Sequence, residues 1–157
     1  MTYSCEIVID RPVNEVISKL DSAQNLKHWQ SGLVSTEHLS GTPGELGAKM
    51  RLKYRFGRRE MEMVETILKR AFPNEFHASY TTKGMRNIQK NYFSSTKQGF
   101  TQWVSESEFQ PTNLRMRAML FLMPSAFKKQ SFRYMSDFKR FVEDGTCLLY
   151  TSDAADD

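Results

Sequence analysis

With 157 residues, 39% of them apolar and 25% charged, the chain has globular composition and room for a single core. No stretch approaches the ~18–20 uninterrupted apolar residues of a membrane span, and Met1 to Asp10 lacks the basic, apolar and small-residue regions of a secretory signal. The formal charge is +4, so nucleic acid and anionic surfaces have to be weighed as partners.

Tyr3 to Ile9 alternates, with Tyr3, Cys5, Ile7 and Ile9 on one side, as a strand with one buried face requires. Asp10 and Pro12 then precede Val13, Val16, Ile17 and Leu20 at helical spacing. Asp10 is expected to cap the free N–H groups and Pro12 to start the helix. Ser22 to Trp29 reads as a second short helix closed by Gly32. A strand of ambiguous facing follows from Leu33 to Gly41, and Gly41 to Gly47 is a turn. Its glycine spacing fits neither a dinucleotide fingerprint nor a P-loop, since no Lys-Ser/Thr pair follows.

Ala48 to Ile67 is the most informative segment. Ala48, Met50, Leu52, Tyr54 and Phe56 alternate with Lys49, Arg51, Lys53 and Arg55, giving one apolar and one cationic face. A two-residue loop at Gly57-Arg58, with glycine supplying the positive φ of a type II′ turn, sets the register. Arg55 then opposes Glu60 and Lys53 opposes Glu62 on the outer face. On the inner face Tyr54 meets Met61, Leu52 meets Met63, and Met50 meets Glu65. That register places one carboxylate, Glu65, among apolar side chains.

Phe72-Pro73-Asn74 is a turn, and Phe76 to Lys83 a strand with Phe76, Ala78 and Tyr80 on one side. Gly84-Met85 is the expected hairpin tip. The next strand is read with Asn87, Gln89, Asn91 and Phe93 inward, because the opposite facing would bury Arg86 and Lys90. Phe100 to Gln110 closes the sheet with Trp103, Ser105 and Phe109 inside. From Asn113 the period changes to about 3.6: Met116, Met119, Leu120, Met123, Phe127, Tyr134, Phe138 and Phe141 form a stripe that ends at Gly145. Pro124 should start or kink this long helix.

Cys147 to Asp157 does not continue the pattern and resembles one reading frame of a transposase-type sequencing adapter. We therefore exclude 147–157 from fold reasoning as a translation scar and take 1–146 as the domain. Without Asp153, Asp156 and Asp157 the formal charge rises to +7. Two cysteines, Cys5 and Cys147, make no disulfide framework and have no metal-type spacing, which fits a reducing cytosol. A cytoplasmic location is the expectation.

A strand, two short helices, six further strands joined largely as hairpins and a long C-terminal helix form the element order of the START / pollen-allergen-like superfamily. The chain resembles its SRPBCC branch of polyketide cyclases and lipid-transport proteins. The resemblance is carried by YSCEIVIDRPVNEV, NLKHW, GTPGELG and LMPSAFKKQSFRYMSDFKRFVEDG, from Thr2 to Gly145. It implies an α+β helix-grip fold: a curved antiparallel sheet of about seven strands wrapped around the C-terminal helix, with an apolar pocket between them. It says nothing of the chemistry, because such folds host unrelated functions.

The residues expected to line the pocket are Met50, Leu52, Tyr54, Met61, Met63, Tyr80, Trp103, Phe127 and Tyr134; the competing reading makes them ordinary core. Nine methionines give a soft, adaptable wall suited to an irregular apolar ligand. Glu65, desolvated on that face, suits a general acid or base or a hydrogen-bond donor. Asn91, with Asn87 and Gln89, could add hydrogen bonds. Alternatively Glu65 reaches solvent or a lysine.

His28, His38 and His77 have no metal-ligand partners at the required spacing, so neither metal nor cofactor is expected. Nucleic acid is disfavoured because Glu60 and Glu62 match the cations of the central strand, and its aromatics lie on the opposite face. Transient membrane contact is suggested by Met119 to Met123, flanked by Arg115, Arg117, Lys128 and Lys129; the alternative is a packed first turn. The leading expectation is a non-enzymatic binder or carrier of a small hydrophobic molecule. A cyclase/dehydratase-type enzyme using Glu65 and a protein-interaction module with a filled core are the alternatives.

Overall fold

The computed structural model describes residues 1–148. Its elements are β1 (Thr2–Ile9), α1 (Val13–Leu20), a 3₁₀ turn (Ala23–Asn25), α2 (Leu26–Trp29), β2 (Leu33–Ser40), β3 (Lys49–Phe56), β4 (Arg59–Ala71), β5 (Glu75–Thr82), β6 (Met85–Ser95), β7 (Thr101–Pro111), α3 (Leu114–Leu122) and α4 (Pro124–Asp144). The strands form one antiparallel sheet of seven in the order β1-β7-β6-β5-β4-β3-β2. Five hairpins therefore run in sequence from β2 to β7, and β1 closes on β7 across the chain. This is the helix-grip architecture that the element order implies.

The β3–β4 register is the expected one. Arg55 pairs with Glu60, Lys53 with Glu62, Tyr54 with Met61, Leu52 with Met63, and Met50 with Glu65. Gly57 has φ 66°, which the turn demands. Outside, Arg55 and Glu60 approach to 3.0 Å and Lys53 and Glu62 to 3.5 Å. These pairs are solvent-exposed and each contributes less than about 1 kcal/mol; the apolar inner face sets the register.

The main core fills one end of the sheet. Cys5, Ile9, Phe93 and Trp103 from the strands meet Val16 and Ile17 of α1, Trp29 of α2, and Met135, Phe138 and Val142 of α4. The Trp103 ring stacks on Phe93 at 5.6 Å and meets Phe138 edge-on at 5.4 Å, and Trp29 also meets Phe138 edge-on at 4.9 Å. Such aromatic pairs add about 0.5–1.5 kcal/mol each beyond the area they bury.

Three local expectations need correction. Asp10 does not cap α1: its N–H donates to Glu143 Oε2 at 2.6 Å, and Pro12 holds the cap position without a side-chain bond. Asp10 is thereby committed to docking the end of α4. The β5–β6 tip is Lys83-Gly84 instead of Gly84-Met85, since Met85 pairs with Thr82 and is buried. The stripe from Asn113 to Gly145 is carried by two helices instead of one, with a break at Met123, and Pro124 opens α4, as one of its two expected roles allowed. Of the segment 147–157, positions 149–157 lie outside the described residues.

Candidate functional site

Successive pairings carry inner-face residues across the sheet in rows. One row runs Met50, Glu65, Tyr80, Asn87, Phe109. Leu52 pairs with Met63, and Tyr54 with Met61, on the outer side of that row. Two-residue periodicity thus brings Met50, Leu52, Tyr54, Met61, Met63, Glu65 and Tyr80 onto one concave patch of β3, β4 and β5.

Polar groups converge there. Tyr80 donates a hydrogen bond to the Glu65 carboxylate. The Tyr54 hydroxyl donates to Gln30 Oε1 at 2.6 Å, and the Tyr134 hydroxyl of α4 to the Ser31 carbonyl at 3.4 Å. Burial pushes the Glu65 carboxyl above its ordinary 4.5, against the opposing effect of the Tyr80 bond. Burial likewise raises Tyr80 well above the usual phenol value, with the Glu65 charge adding to it. Tyr54 is raised by burial first, then by Tyr134 and Glu65, and Tyr134 chiefly by burial. Each shift favours the protonated form, so the patch presents neutral O–H groups, and a protonated Glu65 would both donate and accept. On the same row, the Asn87 side-chain carbonyl is buried without a hydrogen-bond partner.

The remaining expected residues separate from this patch. Trp103 Nε1 donates to Asn91 Oδ1 at 2.9 Å, both residues being buried in or beside the main core. This couple is structural: it satisfies an indole N–H that would otherwise be orphaned. Phe127 packs on Phe109 at 5.0 Å, and its carbonyl accepts from Tyr3, toward the β1–β7 end. Trp103, Asn91 and Phe127 therefore do not join Glu65, whereas Tyr134 does approach it through Tyr54. Gln30 and Ser31 were not legible as site residues. They follow α2 in a segment with no periodic signal, and only the tertiary fold brings Gln30 to Tyr54.

Two open grooves lie elsewhere. One, of about 420 Å³, is lined by Met1, Pro111, Arg117, Leu120, Phe121 and Pro124. The other, of about 520 Å³, runs between β1 and α4 past Cys5, Lys128, Lys129 and Phe132. Neither includes an expected pocket residue. Among the described residues no group of three His, Cys, Asp or Glu side chains is placed to hold a metal ion.

No family model matches the sequence, and no curated protein matches it. The structure is similar to several solved ones. Ara h 8.0201 aligns with a TM-score of 0.73 at 10% identity, covering 90% of this chain and 97% of that one. A protein of unknown function from Staphylococcus aureus, SA2116, aligns at 0.75 and 12%, covering 93% and 95%. DynU16, described as a protein in the dynemicin biosynthetic locus, aligns at 0.68 and 12%, covering 93% of this chain and 48% of that one. At such identities the likeness is one of fold, and it agrees with the resemblance drawn from the element order.

Proposed function

We propose, for a chain with the helix-grip fold of the START-like (SRPBCC) superfamily, that the concave patch of β3, β4 and β5 binds a small, largely apolar molecule bearing one hydroxyl or carbonyl group. The observation that carries this reading is the Glu65–Tyr80 pair, set among Met50, Leu52, Met61 and Met63. A carboxyl withdrawn from water costs free energy unless it is neutral or bonded; half-buried Glu65 is bonded by Tyr80, and on the other side of Tyr80 the Asn87 side-chain carbonyl has no partner among the described residues. Methionines adapt to irregular apolar shapes, while the O–H groups fix orientation. Residues 1–146 form the unit to which this binding is assigned, and the free thiols of Cys5 and Cys147 suit a reducing, cytoplasmic setting.

A second reading is favoured by the same carboxyl. With its pKa raised and Tyr80 in hydrogen-bond contact, Glu65 has the properties of a general acid or base, as a cyclase/dehydratase-type reaction would require. Carrier and enzyme differ in what becomes of the ligand.

Native mass spectrometry of the full chain, with extraction and mass analysis of co-purifying small molecules, tests the binding. An apolar adduct weakened by Glu65→Gln or Tyr54→Phe supports the concave patch. A ligand recovered unchanged after prolonged incubation supports a carrier; a mass change lost in Glu65→Gln supports the enzyme. No adduct, and no thermal stabilisation by a lipid and aromatic panel, would leave a protein-interaction role.

A further inference from the structure

α3 is apolar on two opposite sides. At 3.6 residues per turn, Met116, Met119 and Leu120 share the side that faces the protein, and Leu120 is buried. Leu114, Ala118, Phe121 and Leu122 share the other. There Leu114 is 79% exposed, Phe121 84% and Leu122 74%. Arg115 and Arg117 fall on the two flanks, between the sides. A single buried stripe would need only the first side; the second leaves large side chains in water with no partner among the described residues. The exposed apolar surface continues through Met123 at the break into α4, and Phe132 is exposed two turns further on.

Charge indicates what covers it. From Phe109 to Ser136 the chain has no acidic residue and five cations: Arg115, Arg117, Lys128, Lys129 and Arg133. Among the described residues, none of the five lies within ion-pair distance of a carboxylate, although nine Lys or Arg pairs of that kind occur elsewhere. A second copy docked about a twofold axis would set this cationic surface against itself. Glu6 of β1 lines the groove beside Lys128 and Lys129, but α3 itself carries no acid, and a helix face that is apolar at the centre and flanked by Arg115 and Arg117 complements anionic lipid headgroups over acyl chains. No helix among the described residues is long and apolar enough to cross a membrane, so α3 would lie in the interface.

We propose that the outward side of α3, centred on Phe121 and Leu122 and flanked by Arg115 and Arg117, is a docking surface for an anionic lipid bilayer. This does not depend on what the concave patch binds. It also resolves the two readings of Met119 to Met123 that the sequence leaves open: Leu120 is the packed residue, and its neighbours Phe121 and Leu122 are presented outward.

Flotation of the full chain with phosphatidylcholine vesicles, with and without phosphatidylserine, tests it. The chain should float with the serine-containing vesicles and remain behind with phosphatidylcholine alone. Phe121→Ser with Leu122→Ser should lower partition at least ~10-fold, and Arg115→Gln with Arg117→Gln about fivefold per charge removed. Both double variants should keep the native thermal midpoint, since the altered side chains are exposed. Trp29 and Trp103 are buried, so a Phe121→Trp indole reports directly on contact and should shift to the blue with anionic vesicles. No flotation with anionic vesicles, flotation undiminished by the Phe121 and Leu122 changes, or an unshifted indole would overturn the proposal. So would self-association abolished by those same changes without any vesicle partition, which assigns the face to a second copy.

Discussion

Glu65 faces inward because the apolar period and the outer ion pairs of the β3–β4 hairpin agree on one register, in which it pairs with Met50. Its environment supplies a test. Burial holds its carboxyl above the ordinary 4.5, so the folded chain binds this proton more tightly than the unfolded chain. The stability it contributes is complete below the unfolded value and is lost as the pH rises through the raised folded value. Glu75, held low by Lys69, and Glu143, held low by Lys139 and the Asp10 N–H against the effect of burial, have the opposite sign and lose stability as the pH falls. A raw pH profile therefore mixes the two, and the difference between native protein and Glu65→Gln isolates the first. Relative to the native protein, the thermal midpoint of Glu65→Gln should rise as the pH is raised above the ordinary 4.5 and level off once the folded carboxyl has ionised; a difference that stays constant with pH would mean that the carboxyl ionises freely in the fold. By contrast, the Gln30 partner of Tyr54 has no sequence signal, since a hydrogen bond between an inner-strand tyrosine and a loop glutamine depends on tertiary placement.

At the level of elements, alternation and turn chemistry located every strand, and the misreadings fall at junctions, where backbone groups bond across the chain. The β5–β6 turn is one such place. Gly84 has φ +85°, its carbonyl accepts from Thr112, and a Cβ built on it would lie 2.4 Å from Asn113 Nδ2. Asn113 is the N-cap of α3, its Oδ1 accepting from Met116 N–H at 2.8 Å. Turn and cap are therefore one unit. Asn113→Ala should cost about 1 kcal/mol. Gly84→Ala should cost about 2–3 kcal/mol, combining left-handed strain with displacement of the cap. Because both substitutions damage the same cap, the double variant should fall short of the sum of the two, as chemical denaturation will show. Strict additivity would separate the turn from the helix. The break at Met123 was half legible: proline marked it, but only the folded chain reveals that α3 turns an apolar side outward.

Across the whole molecule the sheet divides the work between its ends. The Trp29, Trp103 and Phe138 cluster holds α1, α2 and α4 against the β1, β6 and β7 end, while the Glu65 patch sits on β3, β4 and β5. The sequence stripe predicted for the last helix included Phe138 but omitted Met135 and Val142, which are buried with it, because a periodic reading cannot tell which flank of a helix the sheet will cover. β6 is paired on both sides along most of its length, whereas β2 is an edge strand exposed over most of its residues. Native-state hydrogen exchange should accordingly be slowest around Phe93 and Trp103 and fastest, among the strands, in β2. The two proposed contacts would then leave different marks on that pattern. A small ligand on the concave patch should slow exchange in β3, β4 and β5 and leave α3 unchanged; anionic vesicles should slow α3 and leave the strands unchanged. If either addition slowed both regions together, the two surfaces would be coupled, and a ligand delivered from the bilayer to the Glu65 patch would be the economical explanation.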